Sequence, residues 1–268
     1  MYDRILVPVD GSKFSEEILP HAAGVASARG TPLTVMRVVD KESAKADVEA
    51  QVKALASSFG AQGLCLVATG DVADAIAAEA NRVPGTLLAM TSHGRSGLME
   101  ALLGSVALRI IRNGGTVLVY RPSGAAAKSQ EPVKVKRVLL PLDGTKGSEA
   151  VAPQAAELAK WLDAELMVVG VVDPHATEAA GIAPGDVMET SHVRSRAEAY
   201  AAEYGVRVSW DVLYRDPAEA IAEFIGGHKD VILAMSTHGR KAMETAYLGS
   251  VTAECLRKAG VPILVRQP

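Results

Sequence analysis

The chain repeats itself, and the repeat limits its fold more than any other feature of the sequence. Arg4-Ile5-Leu6-Val7-Pro8-Val9-Asp10-Gly11-Ser12 returns as Arg137-Val138-Leu139-Leu140-Pro141-Leu142-Asp143-Gly144-Thr145, at an offset of 133 residues. Ser92-His93-Gly94-Arg95 and Gly104-Ser105-Val106 return as Thr237-His238-Gly239-Arg240 and Gly249-Ser250-Val251, at an offset of 145. The second copy is therefore 12 residues longer between these blocks. Val38-Val39-Asp40 and Val171-Val172-Asp173 keep the shorter offset, whereas Gly70-Asp71 and Arg215-Asp216 already show the longer one. That places the insertion around Pro174 to Gly185, a turn-rich stretch that reads as an enlarged surface loop. Ser123 to Pro132 has no apolar periodicity and reads as a linker. Two domains are expected, residues 1–122 and 136–268, joined by 123–135.

Within each copy, short apolar runs alternate with segments of helical period. Strands are expected near Ile5–Val9, Leu33–Val39, Leu64–Ala68, Thr86–Met90 and Thr116–Tyr120. Helices are expected near Ser15–Ala28, Ala44–Phe59, Val72–Arg82 and Leu98–Arg112. The second copy has strands near Val138–Leu142, Leu166–Val172, Arg207–Leu213, Val231–Met235 and Ile263–Arg266. Apolar residues make up 49% of the chain but aromatic ones only 4%, so the core must come from Val, Ile, Leu and Ala, as in buried parallel strands. Strand, helix, strand in repetition requires right-handed crossovers. The expected class is α/β: two doubly wound, Rossmann-like, five-stranded parallel-sheet domains in tandem.

A formal net charge of −3 and the lack of a basic patch argue against a nucleic-acid partner. No apolar stretch approaches the length of a membrane span. Met1-Tyr2-Asp3-Arg4 leads straight into Ile5-Leu6-Val7, too short a run for an export signal. Cys65 and Cys255 lie in apolar runs outside any CxxC pair, which fits buried, reduced thiols. A cytoplasmic location is expected.

In a doubly wound sheet, ligands bind beyond the carboxyl ends of the strands, where strand order reverses. Asp10, Asp40 and Thr91-Ser92-His93-Gly94 fall at that end, as do Asp143, Asp173 and Ser236-Thr237-His238-Gly239. A glycine in the loop after strand four lets backbone approach a ligand, and the helix that follows offers unpaired N–H groups, which suits phosphate. Gly104-Ser105 and Gly249-Ser250 would bring a second small residue and a hydroxyl to the same place. Asp10 and Asp143 can each accept from a ribose hydroxyl or an adenine amine, and Asp10 can instead cap the helix that follows Gly11-Ser12. His93 and His238 have no nucleophile in their loop and read as loop-shaping residues.

These blocks, together with Val117-Leu118-Val119-Tyr120-Arg121-Pro122 and Ile263-Leu264-Val265-Arg266, resemble the universal stress protein family across nearly the whole chain. The resemblance implies a tandem universal stress protein, an adenine-nucleotide-binding regulator of the stress response that takes ATP, with or without Mg²⁺. ATP-binding members carry Gly-x2-Gly-x9-Gly-Ser/Thr. Here the second and third glycines keep that spacing, as Gly94 and Gly104 and as Gly239 and Gly249, whereas the first glycine is replaced by Thr91 and Ser236. Residue by residue, the resemblance places Pro8, Val9, Asp10, Val38, Met90, Thr91, Gly94, Arg95, Gly104, Ser105 and Val106 around one nucleotide. It places Pro141, Leu142, Asp143, Val171, Met235, Ser236, Gly239, Arg240, Gly249, Ser250, Val251 and Thr252 around a second. Thr252, where the first copy has Ala107, offers copy two an extra hydroxyl for a triphosphate. The family's fifth strand forms its dimer contact, so an intramolecular pseudo-dimer through the two fifth strands is expected, with a homodimer of chains left open.

Enzyme signatures are missing: there is no Gly-x4-Gly-Lys-Ser/Thr, no Gly-x-Gly-x2-Gly and no Gly-x-Ser-x-Gly. A binding protein is favoured, with at most weak ATP hydrolysis. The alternatives are a slow ATPase or phosphotransferase using Asp10 or Asp143 to hold Mg²⁺, and an interaction or scaffold module that has lost its nucleotide.

Overall fold

The computed structural model describes residues 2–92, 103–122, 131–172, 187–237 and 248–268. The chain divides into two compact units, Met1–Lys134 and Val135–Pro268. Unit one runs β1 (Arg4–Pro8), α1 (Lys13–Glu16), α2 (Leu19–Ser27), β2 (Leu33–Val39), a 3₁₀ turn at Glu42–Ala44, α3 (Lys45–Ser57), β3 (Gln62–Val67), α4 (Val72–Arg82), β4 (Thr86–Thr91), α5 (Ser105–Arg112) and β5 (Thr116–Tyr120). Unit two runs β6 (Arg137–Leu142), α6 (Lys146–Glu149), α7 (Ala152–Leu162), β7 (Glu165–Val172), α8 (Val187–Tyr204), β8 (Val208–Tyr214), α9 (Pro217–Ile225), β9 (Val231–Ser236), α10 (Ser250–Lys258) and β10 (Ile263–Arg266).

Strand order is β3-β2-β1-β4-β5 in the first unit and β8-β7-β6-β9-β10 in the second. All pairings within each are parallel, as in β1 on β2 with Ile5 opposite Leu33 and β6 on β7 with Val138 opposite Leu166. The expected doubly wound topology is present in both units. The central strands are apolar without alternation because helices cover both faces of a parallel sheet. Ile5, Leu6, Leu87, Leu88 and Leu118 are shut off from solvent in unit one, as are Leu139, Leu140, Leu166 and Ile232 in unit two.

Two details depart from the sequence reading. The segment expected as one helix from Ser15 to Ala28 is two, broken at Glu17 and Ile18, with Pro20 in the first turn of α2. Proline lacks an N–H and so sits where no intrahelical donor is needed. The end of the expected linker is docked: Val133 donates its N–H to the Pro20 carbonyl at 2.9 Å. Val133 also packs so closely on Gly24 that a Cβ there would meet its carbonyl. Residues 98–102 of the helix expected from Leu98, the insertion around 174–185 and most of the linker fall outside the described residues.

A buried ion pair ties β1 to α4 in unit one. Arg4 Nη1 lies 2.7 Å from Glu79 Oε1, with side-chain exposures of 11% and 4%. Arg4 also donates to the Glu79 carbonyl and to Thr86 Oγ1. The corresponding Arg137 of unit two pairs with Glu165 at 3.2 Å, with both side chains half exposed. Among the described residues no helix is long and apolar enough to cross a membrane.

Candidate functional site

Strand order reverses between β1 and β4. Arg4 pairs with Thr86 and Leu6 with Leu88, so their carboxyl ends emerge side by side. In unit two β6 and β9 do the same, with Arg137 opposite Val231 and Leu139 opposite Leu233. The candidate residues collect at these two ends, the topological switch points where doubly wound sheets leave a crevice.

The loop after β1 is built by its own side chains. Asp10 Oδ1 accepts from the Ser12 N–H at 2.8 Å and from Ser12 Oγ at 2.6 Å. Asp10 donates its own N–H to Ser15 Oγ at 3.2 Å. Unit two repeats the arrangement: Asp143 Oδ1 accepts from Thr145 N–H and Oγ1 at 3.0 and 2.6 Å, and Asp143 N–H donates to Ser148 Oγ. The helix cap is not the aspartate. Ser12 and Thr145 occupy the N-cap positions and accept from the Ser15 and Ser148 N–H groups. Gly11 and Gly144 turn the chain with φ of +81° and +78°, which only glycine adopts without strain. Two hydrogen bonds from the turn thus fall on one oxygen of each carboxylate.

The loop after β4 starts from a fixed point. Ser92 donates its N–H to the Tyr120 carbonyl and Thr237 to the Arg266 carbonyl, each at 2.8 Å, prolonging the ladder by one residue. Thr91 and Ser236, which stand in place of the family's first glycine, are buried, as are Ser92 and Thr237. The chain then returns to them. Gly249 donates its N–H to the Thr237 carbonyl, and a Cβ on Gly104 would lie 3.6 Å from the Ser92 carbonyl. Gly104 and Gly249 are the N-caps of α5 and α10, both extended, and among the described residues no side chain caps either end. The first intrahelical bonds are those from Leu108 N–H to the Gly104 carbonyl and from Ala253 N–H to the Gly249 carbonyl. The amides of residues 105–107 and 250–252 therefore precede the helical ladder. Ser105 and Ser250 are exposed beside them, with Val106 and Val251 half-buried.

Pro8, Val9, Leu142 and Met235 are buried, while Pro141, Val38, Val171 and Met90 are half-buried. Gly94, Arg95, Gly239 and Arg240, with His93 and His238, lie outside the described residues. Thr252 corrects its expected role. Its hydroxyl donates to the Ser236 carbonyl at 2.9 Å in a buried bond, so it ties α10 to β9 and its proton is not offered to a phosphate. Two arginines beside these loops carried no motif. Arg37 places its guanidinium against Gly11, where a Cβ would meet Nη1 at 2.6 Å, and Arg196 pairs with Glu149 at 2.6 Å. Among the described residues no three His, Cys, Asp or Glu side chains converge to hold a metal ion.

A family model described as universal stress protein family matches residues 1–121 and again residues 134–266. A universal stress protein of Mycolicibacterium smegmatis is 25% identical to this chain, covering 98% of it and 97% of that protein. One of Mycobacterium tuberculosis is 26% identical, covering 97% and 96%. The crystal structure of a universal stress protein from Archaeoglobus fulgidus superposes with a TM-score of 0.65 at 21% identity, covering 98% of this chain and 96% of that one, a likeness of fold. Two matches to one family model, together with relatives aligned along nearly the full length, establish that the chain belongs to the universal stress protein family, as a tandem of two such domains.

Proposed function

We propose that the chain is an adenine-nucleotide-binding regulatory protein of the stress response, with one pocket per unit at the switch point. The observation that carries this reading is the repeated pairing of a glycine-led, uncapped helix start with an Asp-Gly-Ser/Thr turn on the neighbouring strand. Phosphate oxygens would accept from the amides at the start of α5 and α10, where the helix dipole is positive. The exposed hydroxyls of Ser105 and Ser250 would donate alongside them. Asp10 and Asp143 would accept from the ribose or the adenine amine. Pro8, Val9, Val38 and Met90, and in unit two Pro141, Leu142, Val171 and Met235, would supply apolar contact for the base. Gly94, Arg95, Gly239 and Arg240 would complete the phosphate loop, and Mg²⁺ would enter with the triphosphate.

Because the first glycine of the family's signature is here Thr91 or Ser236, the backbone cannot approach the ligand as closely as glycine permits, and moderate affinity is expected. The test is to denature the purified protein, assay the supernatant for adenine nucleotide, and titrate the ligand-free chain with ATP and AMP. Released nucleotide or saturable binding supports the reading. An empty supernatant with no saturable binding would leave the interaction-module alternative standing.

A further inference from the structure

The two units hold these arginines differently: Arg37 lies against the Asp-Gly-Ser turn of unit one, whereas Arg196 of unit two pairs with Glu149 of the helix after the turn. In unit one the arginine comes from the sheet: Arg37 on β2 lays its guanidinium on Gly11, so that a Cβ there would find Nη1, Cζ and Nη2 at 2.6 to 2.8 Å. Arg37 donates to Gln51 Oε1 of α3 at 3.3 Å. The repeat sets Gly170 against Arg37 and Arg196 against Gln51. In unit two the arginine thus stands on the helix, and the strand position is a glycine pressed against Val193 of α8. Among the described residues, Gly144 has nothing within 4 Å of where its Cβ would be.

Their charge balance differs. Arg196 Nη2 lies 2.6 Å from Glu149 Oε2, donates to Tyr200 Oη at 3.1 Å, and its guanidinium stacks over the Tyr200 ring. Its charge is neutralised within the unit. The residue equivalent to Glu149 is Glu16, which is taken by Lys13 at 2.9 Å. Among the described residues, no carboxylate comes within ion-pair range of Arg37, and its hydrogen bond runs to a neutral amide. A half-buried guanidinium is always charged and offers five donors. It stands next in sequence to Val38 and against the turn made by Asp10.

We propose that Arg37 makes unit one selective for the more highly charged adenine nucleotide. Unit two, whose guanidinium is cancelled by Glu149, binds with little regard to phosphate number. The inference rests on the nucleotide reading above and adds a division of labour between the pockets. Arg37 acts through its field rather than by touching the base: charges act over about 10 Å before salt screens them. Two extra phosphate charges within that reach are worth a factor of about three to ten in affinity.

The test is a two-site calorimetric titration of the full chain with ATP and with AMP, comparing wild type, Arg37→Gln, Arg37→Lys and Glu149→Gln. In wild type, one site prefers ATP over AMP about three- to tenfold more than the other. Arg37→Gln weakens ATP more than AMP and so removes the excess, and Arg37→Lys, which keeps the charge, retains it. Glu149→Gln, which frees Arg196, gives the second site a preference of its own. If wild type binds no nucleotide, the functional reading falls and this inference with it. If wild type binds but Arg37→Gln leaves the ATP-to-AMP ratio in place, or weakens both ligands equally, the inference alone is overturned.

Discussion

Thr252 separates the two roles a hydroxyl at this point can have. Its Oγ1 donates to the Ser236 carbonyl at 2.9 Å, with the residue 4% exposed. Thr252→Ala leaves that buried carbonyl without this donor, which costs about 1–3 kcal/mol. It also removes a buried methyl worth about 0.8 kcal/mol. The loss is then about 2–4 kcal/mol, and Thr252→Ser, which keeps the hydroxyl, loses only about 1 kcal/mol. With a denaturant dependence of about 1–3 kcal/mol per molar urea, the alanine variant should unfold at a midpoint lower by about 1 M or more. Unfolding must be followed on ligand-free protein, because bound nucleotide adds stability of its own. ATP affinity under native conditions should stay within about twofold for both variants. If Thr252→Ala instead cost tenfold or more in ATP affinity and left the urea midpoint unmoved, the hydroxyl would be a phosphate donor and the inward placement would be wrong.

Three further outcomes follow from the packing. Glu79→Ala strands Arg4 in the interior and should cost about 3–5 kcal/mol, whereas Glu165→Ala, at a half-exposed pair, should cost about 1 kcal/mol or less; comparable losses in urea unfolding would contradict the difference in burial. Gly11→Ala and Gly144→Ala both meet a positive φ, worth about 1–2 kcal/mol, but only the first also meets a guanidinium, so Gly11→Ala should be the more destabilising of the two by thermal unfolding. Burial, then Asp216 and Glu254, pushes the Cys255 thiol up to about 12 from an ordinary value of 9.0. A raised thiol pKa favours the protonated form in the fold, so its contribution is full below pH 9 and is lost as pH rises from there toward 12. Cys255 should accordingly resist alkylation at pH 8 in the native chain and react on unfolding, as mass spectrometry of modified thiols would show; equal rates in both states would refute its burial.

Much of this fold was legible because its period is strong. Apolar runs such as Ile5-Leu6-Val7 and Val138-Leu139-Leu140 can only be strands covered on both faces, and the repeat halves the problem. The break before Pro20 was also readable in principle, since proline is at home in a first turn, but continuous apolar periodicity from Ile18 to Val25 hid it. Val133 could not be found that way: its bond to the Pro20 carbonyl is a tertiary contact, and Gly24 reveals its purpose only when something lies on it. The motif residues fall at the carboxyl ends of β1, β4, β6 and β9, as their positions in sequence imply, while the direction of the Thr252 hydroxyl depended on how α10 sits against β9. Arg37 and Arg196 were invisible for a further reason. The repeat aligns arginine with glycine and glutamine with arginine, so comparing the two copies position by position pairs neither arginine with the other.

The central claim, one nucleotide pocket per unit at the glycine-led helix start, is tested most directly by native mass spectrometry of the purified chain beside its Gly104→Ala, Gly249→Ala and double variants. Both glycines have φ and ψ open to alanine, and among the described residues a Cβ on Gly104 meets only the Ser92 carbonyl, at 3.6 Å, an ordinary contact, so at that position the added methyl narrows the approach to the amides. The account predicts adenine nucleotide bound to the wild-type chain, partial loss in each single variant and none retained by the double variant. Nucleotide retained unchanged by the double variant would contradict it.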